Sequence, residues 1–236
     1  MKPFAILMLL ATTIGAIALT AAIAAPPQRV TLHYDVSRNG TSMVEVTETL
    51  RHDGRSYSIQ STWQRKGLFA LSARGNATRS SRGVIGARGL APREFRDQRG
   101  DGPPGVARFD WTKRILTRER DGRLETEPLP EGTQDRLTLA YGFAFTPPVS
   151  GAGEISVNIA DTRGLSRSRY AIVGRETLRT GAGEFETLRL VKQRAPGDYR
   201  GTEIWLALKR DYLPLRVLVI EKDGTRLDQV VTRIES

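Results

Sequence analysis

The sequence predicts a mainly β protein: an antiparallel meander forming a strongly curved sheet or incomplete barrel, with a short helix near 133–145 on its concave side. Three observations predict it. After residue 29, apolar and polar residues alternate with a period of two along most of the chain. Four dipeptides, Asn39-Gly40, Asp53-Gly54, Asp121-Gly122 and Asp223-Gly224, sit between alternating runs. These residue types tolerate the positive φ that tight hairpin turns require. One stretch, "TQDRLTLAYGFAF", replaces the alternation with helical spacing.

The first 24 residues read as a signal peptide. Lys2 is their only charge, an apolar run extends from Phe4 to Ile23, and Ala22-Ile23-Ala24 fits a small-x-small cleavage pattern. Residues 25–29, with Pro26-Pro27, form a linker, and 30–236 form a single β domain. The chain is therefore expected to be exported and periplasmic, cleaved near Ala24. The alternative is an N-terminal inner-membrane anchor, because the run approaches the ~20 residues that span a bilayer.

The strands follow in order. Leu32, Tyr34 and Val36 alternate with Thr31, His33 and Asp35, and Tyr57, Ile59, Ser61 and Trp63 with Ser58, Gln60 and Thr62. Further on, Ile155, Val157 and Ile159 alternate with Ser156 and Asn158. Strands are expected near 30–37, 42–52, 55–65, 70–80, 105–110, 113–120, 154–161, 167–179, 184–194, 199–207, 213–222 and 225–235. Each should be apolar on one face and wet on the other, as antiparallel sheets are. Segment 84–99 is interrupted by Gly83 at its start and by Gly86, Gly89 and Pro92, and is not assigned. Pro214 opens a run that is apolar on both faces, and so marks the first residues of its strand, an edge or a bulge.

The helix has a start and a stop. Thr133 or Asp135 can cap it, and Pro147-Pro148 ends it. Leu137, Tyr141, Ala144 and Phe145 form its apolar stripe. Gln134-Asp135 therefore reads as a cap, not a reactive pair. The helix is too short to stand alone and must lie on the sheet.

The chain has no cysteine, which excludes disulfides, thiolate metal sites and a lipid-modified N-terminal cysteine. Its net charge is +10, almost entirely from arginine, with seven arginines between Arg74 and Arg99. This charge suits an anionic envelope surface or a solvated face. The export signal argues against nucleic acid. His33 and His52 lie on separate strands without partners at metal spacing, and no nucleophile elbow or phosphate loop occurs. No cofactor, metal or catalytic residue is assigned.

Trp63, Trp111, Tyr141, Phe143 and Trp205 are the candidate ligand-binding residues, able to line a hydrophobic cavity on the concave face. The competing role for each is core filling. Asp110, Gln134, Asp135 and Pro214 fall in motifs that suit caps, turns and corners. The leading functional expectation is a periplasmic protein, more readily a binding protein than an enzyme, that holds an apolar or amphipathic, lipid-like ligand or supports the envelope. One alternative is an envelope-glycan hydrolase using a carboxylate pair, Asp110 with Asp135 or Glu203 with Asp211. Another is a structural adaptor that holds a protein partner.

An ordered set of segments carries a family resemblance: "YDVSRNG" at 34–40, "GLFAL" at 67–71, "GLAPREF" at 89–95, "RFDW" at 108–111 and "LPEGTQDRLTLAY" at 129–141. It continues with "IADTRG" at 159–164, "GAGEFETLRL" at 181–190, "IWLALKRDYLPLRV" at 204–217 and "EKDG" at 221–224. Through these the chain resembles the exported bacterial family called domain of unknown function 3108. The resemblance implies an exported, largely β protein with no established activity. By fold analogy such sheets are similar to the half-barrels of periplasmic lipoprotein carriers, which is not itself an argument for function.

Overall fold

The computed structural model describes residues 26–67, 76–148 and 153–236. The signal peptide, residue 25 of the linker and the first part of the strand expected at 70–80 lie outside them. Fourteen strands form one sheet. The first eight are β1 (Arg29–Arg38), β2 (Thr41–His52), β3 (Ser56–Arg65), β4 (Ala77–Gly86), β5 (Gly89–Arg99), β6 (Gly105–Asp110), β7 (Ile115–Arg120) and β8 (Arg123–Pro128). Helix α1 (Arg136–Tyr141) follows and tightens into a 3-10 turn (Gly142–Ala144). The last six are β9 (Glu154–Asp161), β10 (Gly164–Thr180), β11 (Gly183–Gln193), β12 (Gly201–Ala207), β13 (Pro214–Ile220) and β14 (Arg226–Glu235).

Strands β1 to β8 form one antiparallel meander and β9 to β14 a second. The first and last strands join them, with Leu32 opposite Ile234 and Val36 opposite Gln229. The edges of the sheet are therefore β8 and β9, the strands on either side of the helix. Two of the four expected dipeptides take the left-handed pair, while at Asp53-Gly54 and Asp223-Gly224 only the glycine does. Asn39 and Gly40 take φ of 50° and 85°, and Asp121 and Gly122 take 50° and 73°, the left-handed pair of a tight hairpin.

The sheet has two strands that the sequence reading does not assign. Within 84–99, the glycines taken as breakers are a hairpin and a bulge. Gly86 pairs with Gly89 at the turn, and the register shifts at Arg82/Gly83. Gly83 is required by close approach: a Cβ there would lie 2.1 Å from the Ala91 carbonyl oxygen. Pro92 is tolerated because β5 pairs with β6 only from Glu94 onward. Strand β8, "RLETEP", has no apolar alternation. It is an exposed edge, held to β7 partly by Arg118, whose guanidinium meets Glu125 at 2.7 Å and Glu127 at 2.8 Å. Its charges also discourage edge-to-edge pairing with another sheet.

Two apolar clusters make the core, and the helical segment contributes to both. Leu137, Tyr141 and Ala144 join the larger with Leu32, Tyr34, Val46, Ile59 and Phe95. Leu139 and Phe143 pack into the smaller, with Tyr170, Leu190, Ile204 and Leu206. The sheet curls around the helix, which touches β9 on one side and β4 and β5 on the other.

Candidate functional site

The helix is seated by its first residue. Asp135 is fully buried at the N-cap, where one carboxylate oxygen accepts the N–H groups of Leu137 (2.8 Å) and Thr138 (2.9 Å). The Thr138 hydroxyl accepts the Asp135 N–H at 2.8 Å, closing a capping box. The second oxygen accepts from the Ser81 hydroxyl on β4, which also meets the Tyr57 hydroxyl at 3.2 Å. Burial raises the Asp135 pKa to about 6, even though these hydrogen bonds pull the other way. The next residue, Arg136, ion-pairs with Asp161 at the end of β9. Burial alone would raise Asp161; the Arg136 charge and the Arg163 N–H outweigh it and hold the carboxyl below its usual range.

A second buried carboxylate lies beneath the far end of the helix. Glu48 on β2 accepts from the Ser61 hydroxyl (2.9 Å) and from the Tyr141 hydroxyl (3.0 Å). The Gln229 side chain is a further partner. The Trp63 indole N–H donates to Ser61 at 2.9 Å, and the Tyr34 hydroxyl donates to the Pro214 carbonyl at 2.7 Å. Burial is the main force on Glu48 and raises its pKa despite these bonds. Burial and the nearby Glu48 likewise push Tyr34 and Tyr141 well up, so both stay neutral. The pattern has a simple origin in the register. Glu48, Ser61, Arg79 and Asp97 stand directly opposite one another across β2, β3, β4 and β5. They form one polar row crossing an otherwise apolar face.

The structure gathers only some of the residues singled out from sequence. Tyr141 and Trp63 meet the same Glu48–Ser61 pair. Trp111 stacks on Phe109 (centroids 6.2 Å apart) and donates to the Pro92 carbonyl at 2.7 Å. Phe143 belongs to the smaller cluster. Trp205 joins the larger apolar cluster that also holds Tyr141. Alternation along β12 puts it on the face opposite Ile204 and Leu206, which pack with the helix. There Arg189 and Arg216 lie 5.2 and 4.5 Å from its ring. Its indole donates to Glu176. Pro214 is the first residue of β13, at a register shift against β12.

Each carboxylate of the two pairs has surroundings of its own. Asp110 is the half-exposed last residue of β6, accepting from the Lys113 N–H, whereas Asp135 is enclosed by Ser81 and the helix N-terminus. Glu203 pairs with Arg189, and Asp211 sits in a turn at φ 50°. Glu48 and Ser81 are the site residues that sequence reasoning misses. Glu48 has a signal: it is a lone acid in the apolar row Val44, Val46, Leu50 of an alternating strand.

Gln134 closes the seam between the two edges. Its N–H donates to Asn158 and its carbonyl accepts from Ala160, both at 2.8 Å, so it pairs with β9. Its side-chain amide donates to the Leu90 carbonyl of β5 at 3.0 Å. One residue thus clasps the second meander to the first. Gln134→Ala is expected to cost about 1 kcal/mol. The cost stays small because the amide oxygen is buried without a hydrogen-bond partner among the described residues, and its removal relieves that. Denaturant unfolding measures the loss, and amide exchange should quicken at Ala160.

Fourteen antiparallel strands curled about one capped helix, with the seam clasped by a side chain, define an incomplete β-barrel. The chain belongs to the family described as protein of unknown function DUF3108, whose model matches residues 29–231. No curated protein matches it. Among solved structures it is similar to a β-barrel-like protein of the domain of unknown function DUF1849 from Brucella abortus. That match has a TM-score of 0.57 at 8% identity over 90% of this chain and 99% of the other. A candidate lipoprotein from Parabacteroides distasonis aligns over 90% of this chain and 98% of its own, at 10% identity and a TM-score of 0.37. An exported-protein candidate from Bacteroides fragilis aligns over 88% and 95%, at 9% and 0.37. At these identities the first likeness speaks for the fold alone, and the other two are too distant in structure to carry an argument.

Proposed function

We propose that the mature chain is an exported, periplasmic binding protein that holds an amphipathic, lipid-like ligand against the concave face of its sheet. The observation that carries this reading is the plug. Between the apolar surfaces of the two meanders lies a helix of six residues with a three-residue 3-10 turn. So short a helix has no stability of its own. Its seat depends on the Asp135 cap, the Arg136–Asp161 ion pair and the Gln134 clasp. When it moves aside, the residues it packs with, among them Tyr34, Ile59, Leu190 and Ile204, become an apolar trough. A ligand chain lying there replaces the Leu137–Tyr141 and Leu139–Phe143 faces with equivalent apolar contact.

The test is direct. The protein, purified from its native host without detergent, is examined by native mass spectrometry and by titration with a fluorescent acyl probe. An acyl-chain adduct and saturable probe binding are expected. Protein that is bare and does not bind the probe ends this reading.

A further inference from the structure

The polar row that begins at Glu48 ends in a cluster of arginines. Arg79 and Arg99 share one carboxylate, Asp97, at 3.2 and 3.4 Å. Asp97 stands opposite Gly105 on β6. Thr162, from the turn between β9 and β10, packs on Gly105 so closely that a Cβ there would lie 3.0 Å from it. This contact sets the turn that carries Asp161 and Arg163 against β6, the strand that pairs with Asp97. Asp161 is itself occupied, by Arg136 and by the N–H groups of Arg163 and Gly164. Three guanidiniums, those of Arg79, Arg99 and Arg136, are thus paired with two carboxylates, and Arg163 stands beside them as a fourth positive charge. Among the described residues, no carboxylate lies within ion-pair distance of the Arg163 side chain. Its charged neighbours are Arg99, Arg120 and Arg136 as well as Asp161, and burial followed by Arg99 pushes its pKa down. Arg79 is lowered in the same way by burial, with Arg99 and Arg136 adding to it. Like charges held this close are relieved by an anion.

We propose that Arg99 and Arg163, which stay with the sheet when the helix moves aside, bind a phosphate-type oxyanion, which, on the reading above, is the headgroup of the ligand whose chains lie in the trough. The chemistry favours it. Guanidinium forks meet phosphate oxygens in paired hydrogen bonds, and the site carries two positive charges beyond its two aspartates. The ligand would lie along the polar row, with its head at these arginines and its chains toward Tyr34 and Ile59.

Calorimetric titration of the mature chain with three probes tests this: inorganic phosphate, dihexanoyl phosphatidic acid, and dihexanoylglycerol, which has the same chains without phosphate. The test variant is Arg99→Gln with Arg163→Gln, and its fold is checked by circular dichroism. The control is Arg167→Gln with Arg169→Gln, in the separate basic cleft of about 340 Å³ bounded also by Lys192 and Asp198. The test variant is expected to bind the phosphate-bearing probes about tenfold more weakly, with the control unchanged. Unchanged affinity in the test variant, loss confined to the control, or no phosphate binding by the parent chain would overturn the site. Phosphatidic acid binding more tightly than phosphate supports the site as a headgroup site; equal affinity supports it as a site for free phosphate. If dihexanoylglycerol does not bind and phosphatidic acid is no tighter than phosphate, the trough reading fails. A weakening of phosphate in the test variant still establishes the oxyanion site.

Discussion

Glu48→Ala is expected to lower stability by about 4 kcal/mol, the largest single loss among the residues of the site. Three donors depend on this carboxyl: the Ser61 hydroxyl, the Tyr141 hydroxyl and the Gln229 amide. Removing it leaves all three unsatisfied and opens a cavity beneath the helix. For a chain of this size the loss corresponds to a fall in Tm of roughly 8–16 °C. Glu48→Gln should cost only about 1 kcal/mol. Its amide can donate to Tyr141, whose hydroxyl then turns toward Tyr34, which already donates to Pro214. The glutamine variant also isolates the charge. The Glu48 pKa is raised in the folded state, so its contribution is fully present below the unfolded value and is lost as pH rises through the folded one. Relative to Glu48→Gln, the parent chain should weaken as pH rises. An alanine variant as stable as the parent would show that the network is not what holds the helix.

The strands were legible where local chemistry decides them. Asn39-Gly40 and Asp121-Gly122 adopt positive φ at both positions, as their residue types allow, so their hairpins could be read directly. The alternation of Leu32, Tyr34 and Val36 named the buried face for the same reason. Strand β8 was not legible because it buries almost nothing; a partner strand, not an apolar pattern, holds "RLETEP" extended. Strand β5 was obscured because Gly83 and Pro92 look like breakers until the bulge that needs them is seen. The pairing of β1 with β14 depends on the closure of the whole curl and has no local sign.

The site was legible in the same measure. Asp135 as a cap followed from its place before an apolar stripe. That its second oxygen would meet Ser81 required knowing that β4 passes under the helix. The aromatic set was drawn together by residue type alone. Alternation along β12 already separated Trp205 from Ile204 and Leu206, and that signal was available in the sequence. Glu48 was the stronger clue than any tryptophan. An acid in an apolar row is either a fault or a purpose, and here it organises Tyr141, Ser61 and, through Ser61, Trp63.

Asp135→Ala should cost about 3 kcal/mol, more than the ~1 kcal/mol of an exposed cap. The difference is burial. The N–H groups of Leu137 and Thr138 and the Ser81 hydroxyl all lose an acceptor that water cannot replace. Asp135→Asn keeps the acceptor for both N–H groups, and Ser81 can reverse its hydroxyl to accept from the new amide. The asparagine variant therefore reports the charge alone. The folded carboxyl has a pKa of about 6 against an ordinary 3.8, so it favours folding fully below about 4 and loses that contribution by about 7. The gap of about two pKa units corresponds to about 3 kcal/mol. Unfolding measured across this range should show the parent weakening relative to Asp135→Asn as pH rises from about 4 to about 6, with the difference between them constant above about 7. The alanine variant also separates a plug from a fixed core. If the helix must leave its seat for a ligand to enter, loosening the seat reduces the cost of entry. Asp135→Ala should then bind the fluorescent acyl probe more tightly than the parent although it is less stable. A helix that is only part of the core predicts the reverse, with stability and probe binding falling together.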